Sequence, residues 1–98
     1  MNPQSSDREV HIAGVVVHAR PGWADAVAAE LSRLPGTEVR ASDAGRLVVV
    51  CEGGSGDEIL DLIARMRDLP GVINVALAYQ HAESAVAMEE IVHEPDTP

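Results

Sequence analysis

The stretch His11-Ile12-Ala13-Gly14-Val15-Val16-Val17-His18 decides the fold. Its β-branched residues stand at odd and even positions alike, so an extended chain here presents apolar side chains on both faces. Such a strand belongs at the middle of a sheet. One face packs beneath helices, and a chain of 98 residues has little left to cover the other. That uncovered face is where function is expected.

Outward from this strand, residues 1–9 are polar and read as a disordered leader without the apolar run of a secretory signal. On the other side Arg20-Pro21-Gly22 ends the strand, and Trp23, Val27, Leu31 and Leu34 recur at helical spacing. Pro35-Gly36 stops that helix. Thr37 to Ser42 then alternates polar and apolar, with charges that suit an edge strand, and Asp43-Ala44-Gly45 turns the chain into Arg46-Leu47-Val48-Val49-Val50-Cys51-Glu52. A hairpin follows from that order. After the flexible Gly53-Gly54-Ser55-Gly56 connection, Ser55 and Glu58 stand at capping-box spacing, and Ile59, Leu62, Ile63, Met66 and Leu69 mark one apolar helical face. Pro70-Gly71 precedes a last strand, Val72 to Tyr79.

Leu34-Pro35-Gly36 returns as Leu69-Pro70-Gly71, each time between an amphipathic helix and a strand, so the chain holds two copies of one β-α-β unit. Two such units assemble as the α+β ferredoxin-like fold βαββαβ, over residues 10–80: a four-stranded antiparallel sheet with both helices on one face and the first and third strands central. Trp23, Val27, Leu31, Ile59, Leu62, Ile63 and Met66 should face the sheet. Residues 81–98 read as an acidic tail, with a short frayed helix near Ala82 to Val92 as the alternative.

The alternation assigns faces. Leu47, Val49 and Cys51 turn to the helices with Ala13, Val15 and Val17. In the last strand the bulkier set, Ile73, Val75, Leu77 and Tyr79, is expected inside. This leaves an open floor of Ile12, Gly14, Val16 and His18 from the first strand, Val48 and Val50 from the third, and Ala76 and Ala78 beside Asn74 in the last. Glu38, Arg40, Asp43 and Glu52 border it. An open apolar floor of this kind marks a binding surface.

Composition narrows the partner. Seven basic against sixteen acidic side chains give a net charge of −9, which repels nucleic acid and anionic membrane and favours a cationic partner. No apolar run approaches the length of a membrane span, and the single cysteine, Cys51, suits a reducing compartment, so the cytoplasm is the expected location. The four histidines, His11, His18, His81 and His93, show no ligand-pair spacing, which argues against a metal site. Gly53 to Gly56 lacks the Lys of a phosphate loop, and the sheet lacks the stacking aromatics of an RNA-recognition domain. No catalytic constellation or cofactor motif emerges, and the reading is a binding protein rather than an enzyme.

Four ordered pieces of this sequence carry a family likeness: His11-x-x-Gly14-x-Val16-Val17, Leu34-Pro35-Gly36-x-Glu38-Val39, Asp43-x-Gly45-Arg46-Leu47-Val48-Val49-Val50, and Gly71-Val72-x-x-Val75-x-Leu77-x-Tyr79-x-His81 before an acidic tail. Together, from about Val10 to Gln80, the chain resembles the NapD-like cytoplasmic chaperones of the periplasmic nitrate reductase. Gly14 departs from the Ser of many relatives, so no hydroxyl role is carried over to that position. The resemblance implies a protein that binds the twin-arginine signal peptide of the reductase's catalytic subunit and restrains its export until the molybdenum cofactor and iron–sulfur cluster are installed. Such a peptide is basic and then apolar, which matches an acidic surface beside an apolar floor. Two other readings stay open: a small-molecule-sensing ferredoxin-like module, and a homodimer whose open sheets cover each other.

Overall fold

The two apolar runs with residues on both faces, around Val15 and Val49, lie side by side in the sheet. The computed structural model describes residues 9–84, as β1 (Glu9–Ala19), α1 (Ala24–Arg33), β2 (Thr37–Asp43), β3 (Arg46–Gly53), α2 (Gly56–Arg67) and β4 (Val72–Ser84). The strand order is β2-β3-β1-β4, with every neighbouring pair antiparallel. β1 and β3 are therefore central, as the ferredoxin-like reading expects. α1 packs on β2 and β3, and α2 on β4, β3 and β1.

Between helices and sheet lies the core. Ala13, Val15, Val17, Leu47, Val49 and Cys51 from the central strands meet Val27, Leu31, Ile59, Leu62, Ile63 and Met66 from the helices, all buried. Each fully buried Leu, Ile, Val or Met stabilises the fold by roughly 1.5–3 kcal/mol. Ser55 caps α2: its Oγ accepts from Glu58 N at 3.1 Å, while the Glu58 carboxylate accepts from Gly54 N at 2.7 Å. The Ser-to-Glu spacing thus orders a connection that its glycines alone suggested was flexible.

The repeated Leu-Pro-Gly places two glycines in the same left-handed conformation, Gly36 at φ 66° and Gly71 at φ 90°. Their carbonyls do equivalent work, Gly36 O accepting from Glu52 N and Gly71 O from Arg20 N, both at 2.8 Å. Each junction thereby ties the strand that follows a helix to the end of a central strand. A Cβ at position 36 would lie 2.4 Å from the Glu52 carbonyl oxygen, so the approach itself requires glycine.

Three expectations are corrected. Trp23 is not a sheet-facing residue of the first helix: it stands just before α1, is 40% exposed, and lays its indole against Gly71, where a Cβ would meet Cε3 at 2.5 Å. It fastens the α2–β4 junction to the start of α1. In β4 only Val75 of the bulkier set is buried, whereas Ile73, Leu77 and Tyr79 are 62%, 48% and 51% exposed. Leu77 keeps the helix side, opposite Val15, but is exposed on the edge strand, whereas Ile73 and Tyr79 are displaced by two irregularities in the β1–β4 register. One skips Ile73, between Asn74 opposite His18 and Val72 opposite Ala19, and the other skips Ala78, between Leu77 opposite Val15 and Tyr79 opposite Gly14. Finally, β4 does not end at Tyr79 but pairs with β1 as far as Ser84, so residues 81–84 are strand rather than tail or helix. The rest of the expected tail, and the expected leader up to residue 8, lie outside the described residues.

The β2–β3 turn carries a strained position. Ala44 has φ 53° beside Gly45 at φ 82°, a pair of left-handed residues as a two-residue hairpin requires. Alanine tolerates that region poorly, and asparagine better. Ala44→Asn should raise unfolding stability by about 0.5–1 kcal/mol, read as a higher urea midpoint at unchanged slope; a lower midpoint would show the turn to be unstrained.

Candidate functional site: the open face of the sheet

Because both helices cover one side, the even-numbered residues of β1 face away from them, and the strand pairings lay out the open face in rows. From one end to the other, Val10 stands beside Glu83; Glu52, Ile12 and His81 form the next row; then Glu38, Val50, Gly14 and Tyr79; then Ala41, Val48, Val16 and Ala76; and last Asp43, Arg46, His18 and Asn74. The middle of the face is apolar. Val48 is 43% exposed, and Val16, Val50 and Ile12 are half-buried although no helix of the described residues lies above them.

Of the residues expected at this surface, Ile12, Val16, Val48, Val50 and Ala76 form one continuous floor. Glu38, Arg40, Val50 and Glu52 meet along a groove of about 380 Å³ at the β2 edge, which Ser32, Leu34, Gly36 and Thr37 complete. There Arg40 Nε lies 3.4 Å from Glu38 Oε1, so Glu38 already has a cation beside it. Glu52 also borders a second hollow of about 210 Å³ toward α2, with Glu58, Asp61 and Arg65. Asp43 and His18 belong to the far end of the face, Asp43 opposite Arg46. Ala78 is the skipped residue of the β4 irregularity and is not in line with Ala76.

Gly14 is buried, and what buries it is Tyr79. A Cβ at position 14 would lie 2.1 Å from Tyr79 Cε1, so the ring occupies the space that a side chain would fill. The sequence expectation had Tyr79 inside and no aromatic on the face; the skipped Ala78 reverses its side. Strict alternation cannot reveal such a slip. A glycine in mid-strand was the available signal, since it marks the close approach of another group. The same slip brings His81 and Glu83 onto the open face, where His81 Nε2 and Glu83 Oε2 are 2.6 Å apart.

The remaining reactive group is remote from this surface. Cys51 faces the helices and is buried, and burial pushes its thiol pKa up. Its alkylation by iodoacetamide at neutral pH should therefore be negligible in the folded protein and rapid in urea; fast labelling of the native chain would contradict this packing.

An antiparallel ferredoxin-like sheet with helices on one side and an apolar, acid-rimmed face on the other is a fold that serves many functions, so its class follows from its relatives rather than from its architecture. Residues 10–84 match the NapD protein family, and the chain belongs to that family. It is 36% identical over 73 residues to the chaperone NapD of Paracoccus pantotrophus, a match that takes in 74% of this chain and 65% of the relative, just under two thirds of its length. With the chaperone NapD of Escherichia coli K12 it shares 32% over 74 residues, 74% of this chain and 85% of that one. The solution structure of the E. coli Tat proofreading chaperone protein NapD superposes with a TM-score of 0.69 at 27% identity, over 91% of this chain and 87% of that one. A transcriptional regulatory protein of the ASNC family from Pyrococcus furiosus shares the fold alone, at 17% identity and a TM-score of 0.57, over 80% of this chain and 53% of that one. The family match and the fold agree, and the curated relatives of this family member carry the name chaperone.

The Gly14–Tyr79 contact yields a direct expectation. Gly14→Ser should leave the fold intact, at a cost below about 1 kcal/mol because the exposed ring can swing away, but it should shift the Tyr79 ring resonances to solvent-like positions. Unmoved ring resonances would show that the notch is not what seats the ring.

Proposed function

We propose that this chain binds the twin-arginine signal peptide of a periplasmic nitrate reductase catalytic subunit on the open face of its sheet, and so restrains export until cofactor insertion is complete. The observation that carries the reading is an uncovered apolar floor bordered by carboxylates, in a chain of the NapD family. Ile12, Val16, Val48, Val50 and Ala76 take the peptide's apolar run, and desolvating that run supplies most of the affinity. The carboxylates at the border select for arginine by charge-assisted hydrogen bonds, each worth little in solvent and effective only together. The chaperone's work is steric occupancy, since a peptide held against the sheet is withheld from the export machinery. The site is proposed to need no cofactor.

Titration with a twin-arginine peptide, followed by amide shifts, tests this. Val16→Asp and Val48→Asp should each weaken binding about tenfold or more, as expected for losing one buried Val contact, with a nearly native circular dichroism spectrum. Changing both peptide arginines to glutamine should cost more affinity in low salt than in high salt. Shifts confined to the helices, or unchanged affinity in both Asp variants, would place the peptide elsewhere.

A further inference from the structure

The open face is not the same at its two ends. At one end Glu52 and Glu83 flank Ile12 and Val10, and the Tyr79 ring lies over Gly14 in the next row. At the other end Arg46 stands between His18 and Asp43, with Asn74 beyond. Six residue steps along β1 take Ile12 to His18, about 20 Å at the rise of a strand. Between them lies the Val16, Val48 and Ala76 floor.

We propose, resting on the function given above, that the peptide docks in one direction only: its arginines over Tyr79 between Glu52 and Glu83, its apolar run over Val16, Val48 and Ala76 toward Arg46. A guanidinium has two ways to be held at the first end. It can accept the π-face of an exposed aromatic ring, and it can donate to carboxylates on either side. Glu38 has Arg40 beside it at 3.4 Å and Glu83 has His81 at 2.6 Å, so Glu52 and the Tyr79 ring carry most of the preference at this end. At the second end a guanidinium meets another cation, Arg46, with Asp43 as the carboxylate of that row and no Tyr or Trp among the row's residues. Reversed docking would set arginine against Arg46 and leave the apolar run over Glu52 and Glu83. Gly14 contributes by absence: a side chain there would lift the ring off the floor. Tyr79 is thus the specificity residue for the basic end, and the β4 irregularity that turns it outward sets the polarity of the site.

Two measurements decide this. A synthetic peptide with an Arg-Arg pair followed by an apolar run is spin-labelled at one end or the other and added to the isotope-labelled protein. The label at the arginine end should broaden amides at Ile12, Glu52 and His81, and the label at the apolar end those at His18, Arg46 and Asn74. The opposite pattern, or the same pattern from both labels, overturns the orientation while leaving peptide binding by the face intact. No binding at all would instead remove the proposed function itself, and the orientation with it. In parallel, Tyr79→Leu should weaken the arginine peptide about two- to fivefold and spare a glutamine version, while Tyr79→Phe should behave as wild type. Equal losses for both peptides in Tyr79→Leu overturn the role given to the ring.

Discussion

Everything in this small domain follows from two strands that are apolar on both faces and, among the described residues, only two helices to cover them. α1 and α2 bury the Val15, Val17, Leu47, Val49 and Cys51 side of the sheet completely, and this contact holds the helices, the strand order and the hairpin in place. The same residues' neighbours, Val16, Val48 and Val50, are then committed to the other side by the pleat. An apolar floor without a roof is therefore the unavoidable reverse of the core. A monomer that retains one spends solubility on it, and the strongly negative net charge offsets that.

The two halves of the chain solve the same geometrical problem with the same three residues. Leu34-Pro35-Gly36 and Leu69-Pro70-Gly71 each end a helix and use a left-handed glycine whose carbonyl ties down a central strand. The symmetry stops at the outer edges. β2 ends at a tight turn, whereas β4 continues past two skipped residues alongside β1 and brings Tyr79, His81 and Glu83 to the open face.

How far the sequence could be read follows from the kinds of signal it contains. The fold and both helix faces were legible because apolar spacing and the repeated Leu-Pro-Gly are periodic, and the helix-facing side of β3 followed from where Arg46 and Glu52 could not go, whereas β1, apolar on both faces, offered no such anchor. The capping of α2 was legible in Ser55 and Glu58. The face of β4 was not, because a skipped residue leaves composition and alternation untouched while exchanging inside for outside at Tyr79. Trp23 was misplaced for a different reason: its spacing suits the helix, but the helix starts after it and Gly71 offers the ring a flat seat. For the open face, the positions of the floor residues could be anticipated, whereas those of Tyr79, His81 and Glu83 could not.

The position of β1 in the sheet bears on how the chain reaches this structure. β1 precedes every other described element, yet neither of its partners is its neighbour in sequence: β3 arrives after a helix and a strand, and β4 closes the described chain. The most apolar strand must therefore wait for loop closures across most of the domain, which are slow compared with local helix formation. Until β4 adds itself, β1 has a bare hydrogen-bonding edge beside a bare apolar face, the combination that invites pairing with another chain. The chain thus passes through a vulnerable stage of its own, and β4, the last of the described strands, ends it.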